Sequence, residues 1–140
     1  VDGFKEKRST TMIYTTYFAQ LKSLPKNIIP ISICGKAPSW YTGLQYKKLA
    51  PKYHFFMKWK ETRDNDYYIE HFQKEVLAVL DPFDVIREIE DKICDGKIIL
   101  SPINFALVCY EKPNDFCHRH LVCKWLNAQG IQCREYEGDL

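Results

Sequence analysis

The stretch Ala106-Leu107-Val108-Cys109-Tyr110-Glu111-Lys112-Pro113-Asn114-Asp115-Phe116-Cys117-His118-Arg119-His120 reads as an apolar strand, a short polar turn and the first turn of a helix. An unbroken apolar run of this length suits a strand covered on both faces, as in a parallel sheet flanked by helices. The twelve positions from Cys109 to His120 hold two thiols, two imidazoles, a guanidinium and the Glu111 carboxylate. Core-building needs none of these groups, so any chemistry is expected here.

Working outward, a helix from about Phe116 to Gln129 would bury Leu121, Val122, Trp125 and Leu126 and close at Gly130, a usual left-handed cap. Residues 131–136 then return as a strand. Upstream, Asp81-Pro82 opens a helix whose Val85, Ile86, Ile89 and Ile93 form one stripe up to Asp95-Gly96. Before it, Asp64 or Asp66 can cap a helix carrying Ile69, Phe72, Val76 and Leu80 at helical spacing. Residues 41–49 and 53–60 suggest short helices separated by Pro51, and Ala19 to Leu24 another before Pro25. Asn27 to Cys34 is a second continuous apolar run, and Met12 to Phe18 is a β-branched and aromatic opening strand. Residues 98–100 read as a connection or a short strand.

The expectation is a small three-layer α/β fold, with a mainly parallel sheet of about four strands and helices on its faces. Residues 1–11 read as a leader and residues 12–140 as a single domain. Composition agrees: 46% hydrophobic and 27% charged residues fit a globular protein, and no run suits a membrane span, so the expected setting is cytoplasmic. Six cysteines on apolar stretches are expected to be reduced, each either a small buried hydrophobe or a ligand or nucleophile.

Residues 7 to 60 carry ten lysines and arginines and no acid, with Tyr41, Tyr46, Tyr53, Phe56 and Trp59 interleaved. Such a stretch is either a solvated basic face over aromatics or a surface for polyanions. In a parallel sheet, ligands sit beyond the carboxyl ends of the strands. There the loops after Thr16, Cys34 and Tyr110 would converge, bringing Thr15, Lys36 and Arg119 together as anion-binding groups. With Asn114 or Asp115 as the helix N-cap, the first-turn amides and the Arg119 fork suit a phosphate or carboxylate. The helix field would favour a Cys117 thiolate, and Glu111 and His118 would handle protons. Alternatively, Arg119 pairs with Glu111 or Asp115 and staples the turn to the helix. Metal binding by Cys109, Cys117, His118, His120 and Cys123 is the rival chemistry, but the spacing fits no standard zinc module, so neither metal nor cofactor is expected.

The pattern Cys109-x-Glu111, Pro113, Cys117-His118-Arg119, followed by Leu121, Leu126 and Gly130, resembles small bacterial and phage proteins grouped as domain of unknown function 488, a family related to the YeaO proteins. The likeness runs from about Met12 to Tyr136. Such proteins typically carry Asp-x-Arg after the second strand; here Cys34-Gly35-Lys36 follows instead, with Lys36 as the available cation. The resemblance implies a compact α/β fold and no particular activity. The expected partners are a phosphorylated small molecule or nucleic acid, acted on at a nucleotide or nucleic-acid end. The alternatives are a non-catalytic nucleic-acid module using residues 36–60, and a structural or partner-binding domain.

Overall fold

A computed structural model describes residues 11–99, 102–112 and 114–138. Most of the expected leader, with Leu100 and Pro113, lies outside these residues. Strands β1 (Ile13–Tyr17), β2 (Ile28–Ser32), β3 (Leu44–Gln45), β4 (Asn104–Cys109) and β5 (Cys133–Glu135) form one sheet in the order β3-β2-β4-β1-β5, every pairing parallel. The protein thus has a small α/β fold with five strands rather than four. The extra strand, β3, is two residues long and too short to leave an alternating pattern.

β4 lies centrally, between β2 and β1, and Phe105, Ala106, Leu107 and Val108 are wholly buried. Four helices follow the expected apolar stripes: α1 (Tyr53–Thr62), α2 (Asn65–Phe72), α3 (Pro82–Cys94) and α4 (His118–Ala128). Their inward residues, including Phe55, Phe72, Ile89 and Leu126, join Ile31, Phe105 and Leu107 of the sheet in one core. Tyr14, Ile28, Ala106 and Tyr136 form a smaller cluster with Leu24. The crossovers β3 to β4 and β4 to β5 advance in the same direction across the sheet, so right-handed connection places their helices on a common face.

Local chemistry sets the helix ends. Asp64 accepts the Tyr67 amide at 3.1 Å and Asp81 that of Asp84 at 3.1 Å, with Pro82 opening α3. Gly130, at φ +80°, ends α4, and the Ile131 amide returns to the Leu126 carbonyl at 3.0 Å. Two expectations are corrected. Residues 41–49 hold β3 and a 3-10 turn at Lys47–Leu49 instead of a helix. The helix after Asp64 widens into a π turn at Gln73–Leu77, which buries the adjacent Val76 and Leu77 together.

One polar contact ties the carboxyl end of the sheet to α4. Arg119, fully buried, donates from Nε and Nη2 to the two Glu135 carboxylate oxygens at 3.0 and 2.9 Å, and from Nη1 to the Glu111 carbonyl at 2.6 Å. Thr15 donates to the same carboxylate at 2.6 Å from its register position opposite Glu135. Burial opposes a charged guanidinium, but the Glu135 hydrogen bonds outweigh it and raise the Arg119 pKa. Removing one partner of such a pair costs about 3–5 kcal/mol. Arg119→Met is therefore expected to lower the urea midpoint by that equivalent, and an unchanged midpoint would show that the fork contributes nothing to stability.

Candidate functional site

Beyond the ends of β2 and β4 the loops part around a cavity of about 700 Å³. Its floor holds Cys34 after β2, Cys109 at the end of β4, and Cys117 and His118 at the start of α4. Its walls include Phe56, Trp59, Tyr68 and Phe116. Lys36, Lys60, Arg63 and Glu111 also line it and are exposed, so its rim carries three cations and one acid.

Helix α1 explains the composition of that wall. Phe55 turns to the core and Trp59, four residues on, both packs in the core and lines the cavity, while Tyr53, Phe56, Lys60 and, just past the helix end, Arg63 recur at spacings of three and four along the cavity. Lys60 lies 5.5 Å from the Phe56 ring centre and the Arg63 guanidinium 4.5 Å from that of Trp59. Arg63 holds a left-handed backbone at φ +56°, uncommon for a residue with a side chain.

Cys117 is itself the N-cap of α4, in place of the expected Asn114 or Asp115. Its sulfur, the Cys109 sulfur and a His118 ring nitrogen all lie within 4.8 Å of one another, and all three residues are buried. His118 Nε2 is 2.7 Å from the Ile33 carbonyl, which only accepts, so this nitrogen carries a proton. Nδ1 then faces the Cys109 sulfur at 3.6 Å.

Charges follow from these contacts. Burial works against a Cys117 anion, but the adjacent Cys109 thiol and His118 ring, the imidazolium charge and the Arg119 amide outweigh it and bring Cys117 down to about 3. His118 moves the opposite way: burial disfavours its cation, and contact with Cys117 and then with Cys34 more than compensates, raising its pKa. Burial and two neighbouring sulfurs push Cys109 well above the ordinary thiol range, leaving it a neutral donor. These shifts favour a thiolate at Cys117, the protonated imidazole at His118 and a thiol at Cys109, and Cys34 beside Cys109 is lowered as well. These same donor atoms are of the kinds that take a soft metal ion.

Of the expected residues, the cavity gathers Lys36, Glu111, Cys117 and His118. Thr15 and Arg119 do not line it: both are committed to Glu135, as the stapling alternative anticipated in kind, though with a partner from β5 rather than Glu111 or Asp115. His120 also lies outside the lining, so His118 is the imidazole that faces the cavity. Cys34 and Arg63 had no specific role assigned, whereas Lys60, Tyr53, Phe56 and Trp59 belong to the basic aromatic stretch that the nucleic-acid alternative used; the three-and-four spacing from Tyr53 to Arg63 was the visible signal for Arg63.

A thiolate with a pKa of about 3 is fully formed across the neutral range. Iodoacetamide labelling of Cys117, read by mass spectrometry, should therefore stay nearly flat from about pH 5 to about pH 8, whereas an ordinary thiol accelerates about ten-fold per unit. His118→Phe should restore the steep dependence. A steep profile in the unaltered protein would contradict the ion pair.

No curated protein and no solved structure matches the chain. A family model, DUF488-N3a, described as the active DUF488-N3 subclade, matches residues 16–130. The matched span includes Cys34, Lys36, the whole of α1 and every position from Cys109 to Arg119, and stops short of Glu135. The match covers most of the chain and agrees with the Cys109-x-Glu111 and Cys117-His118-Arg119 pattern, so the chain belongs to the DUF488-N3 subclade of domain of unknown function 488.

Proposed function

We propose that the protein is a cysteine-dependent enzyme acting on a nucleotide or a nucleic-acid end. The observation that carries this reading is a buried Cys117–His118 pair at the floor of a cavity with aromatic walls and a cationic rim. Aromatic walls suit the faces of a base, and Lys36, Lys60 and Arg63 suit its phosphate. A pocket of about 700 Å³ falls within the usual range for small-molecule sites.

The chemistry follows from the floor. Cys117 Sγ forms a bond to an electrophilic atom of the ligand, and the bond to the leaving group breaks with its electron pair. The His118 imidazolium supplies that group with a proton. Water then cleaves the sulfur adduct, Glu111 takes the water's proton and returns it through solvent to His118, and both the thiolate and the imidazolium are regenerated. Cys109, a neutral donor beside Cys117, stabilises the resting anion. In this scheme Arg119 and Thr15 hold the helix in place and leave phosphate binding to the rim.

Mononucleotides are expected to shield Cys117 from iodoacetamide. Losing a charge-assisted hydrogen bond costs about 1.5–3 kcal/mol, so Lys60→Ala should weaken that protection by about ten-fold or more. Arg63→Gly is the sharper variant, because glycine accepts the left-handed backbone without strain; the protein should keep its stability while protection weakens. Cys117→Ser should abolish turnover of any nucleotide substrate. Absence of protection at millimolar nucleotide would overturn the proposal, as would stoichiometric zinc held by Cys109, Cys117 and His118 in protein purified without chelators.

A further inference from the structure

Three aromatic side chains near the cavity mouth are unusually open to solvent: Tyr53 is 76% exposed, Trp40 60% and Tyr110 49%. Tyr53 and Tyr110 line the cavity. Trp40 does not, yet it and Tyr110 pack on the same ring, with Phe18 centred 5.9 Å from Trp40 and 4.9 Å from Tyr110. The Tyr110 hydroxyl is fixed on the Lys36 carbonyl at 2.7 Å, so the arrangement has a defined geometry.

Exposing large aromatic faces is unfavourable unless something covers them. The charge around them indicates what: Lys36, Lys52, Lys60 and Arg63 are exposed close by in sequence or on the cavity rim, and residues 36–60 contain no acid. Aromatic platforms among cations match a flexible polyanion whose subunits have flat faces. Bases alternating with phosphates match open aromatic faces set among lysines more closely than the carboxylates of an acidic protein partner, which offer no flat faces to stack.

We propose that the substrate is a single-stranded nucleic acid, with its terminal nucleotide in the cavity and the adjoining base stacked on Trp40. This deepens the reading of the cavity as a nucleotide site and rests on it. A free mononucleotide fills the cavity and leaves Trp40 uncovered. A strand covers both, and its backbone phosphates lie along the lysine-bearing rim.

Binding of fluorescein-labelled oligothymidylate and oligouridylate of about ten nucleotides to the full chain, read by anisotropy, tests this, with a mononucleotide as competitor. Either strand should bind more tightly than the mononucleotide, and the two arms decide between DNA and RNA. Affinity should fall with salt at a logarithmic slope of about −2, as expected for roughly three phosphate contacts on a single strand. Trp40→Ala should weaken the oligonucleotide by about five-fold to a hundred-fold, leave mononucleotide protection of Cys117 unchanged, and be rescued by Trp40→Phe. If mononucleotide protects Cys117 but oligonucleotides bind no better, or Trp40→Ala has no effect, the strand proposal falls while the nucleotide reading stands. Preference for duplex over single strand would also overturn it, and failure of both ligands removes both proposals.

Discussion

The ion pair between Arg119 and Glu135 decides where the working residues stand. Its guanidinium is buried at the start of α4, its carboxylate lies on β5, and Thr15 of β1 binds that carboxylate from the neighbouring strand. The remaining guanidinium arm takes the Glu111 carbonyl. A buried ion pair is a poor source of net stability, because desolvating both ions offsets most of their attraction. Its contribution is geometric, since a forked donor on a carboxylate tolerates few orientations. Cys117 and His118 directly precede Arg119, so fixing the arginine fixes the end of the helix that presents them.

The electrostatics of the floor depend on that placement. A thiol buried among apolar side chains is normally pushed toward its neutral form, and this happens to Cys109. Cys117 is nearly as buried but stands at a helix N-terminus, where the Arg119 amide and His118 face it. Two sulfurs within 4.8 Å of each other are therefore shifted in opposite directions. The difference arises because β4 ends at one and α4 begins at the other.

Much of this was legible in the sequence because it rests on local pattern. The buried runs at 27–34 and 104–109 marked strands of a parallel sheet, Asp81-Pro82 and Gly130 marked helix ends, and clustered polar groups between Cys109 and His120 marked the floor. What escaped notice depends on pairing between distant elements. Glu135 becomes the partner of Arg119 only when β5 lies beside β1, and nothing within residues 131–136 announces that neighbour. Residues 41–49 look helical by composition, yet the Tyr46 amide bonds the Ser32 carbonyl at 2.8 Å, and pairing with β2 overrides local propensity.

Helix α1 shows how one short segment serves both the fold and the site. Phe55 and Trp59 bind it to the core, and the stripe from Tyr53 to Arg63 is left to face the cavity. Because Tyr53, Lys60 and Arg63 are exposed, these residues can vary in chemistry without disturbing the core. The floor has no such freedom, since Cys117 and His118 adjoin the guanidinium that holds the helix. In the proposed scheme reactivity therefore depends on the frame around Arg119, whereas ligand preference would reside along Tyr53, Phe56, Lys60 and Arg63. Substitutions along Tyr53, Phe56, Lys60 and Arg63 would accordingly change what the cavity accepts, and substitutions around Glu135 would change whether the thiolate is presented at all.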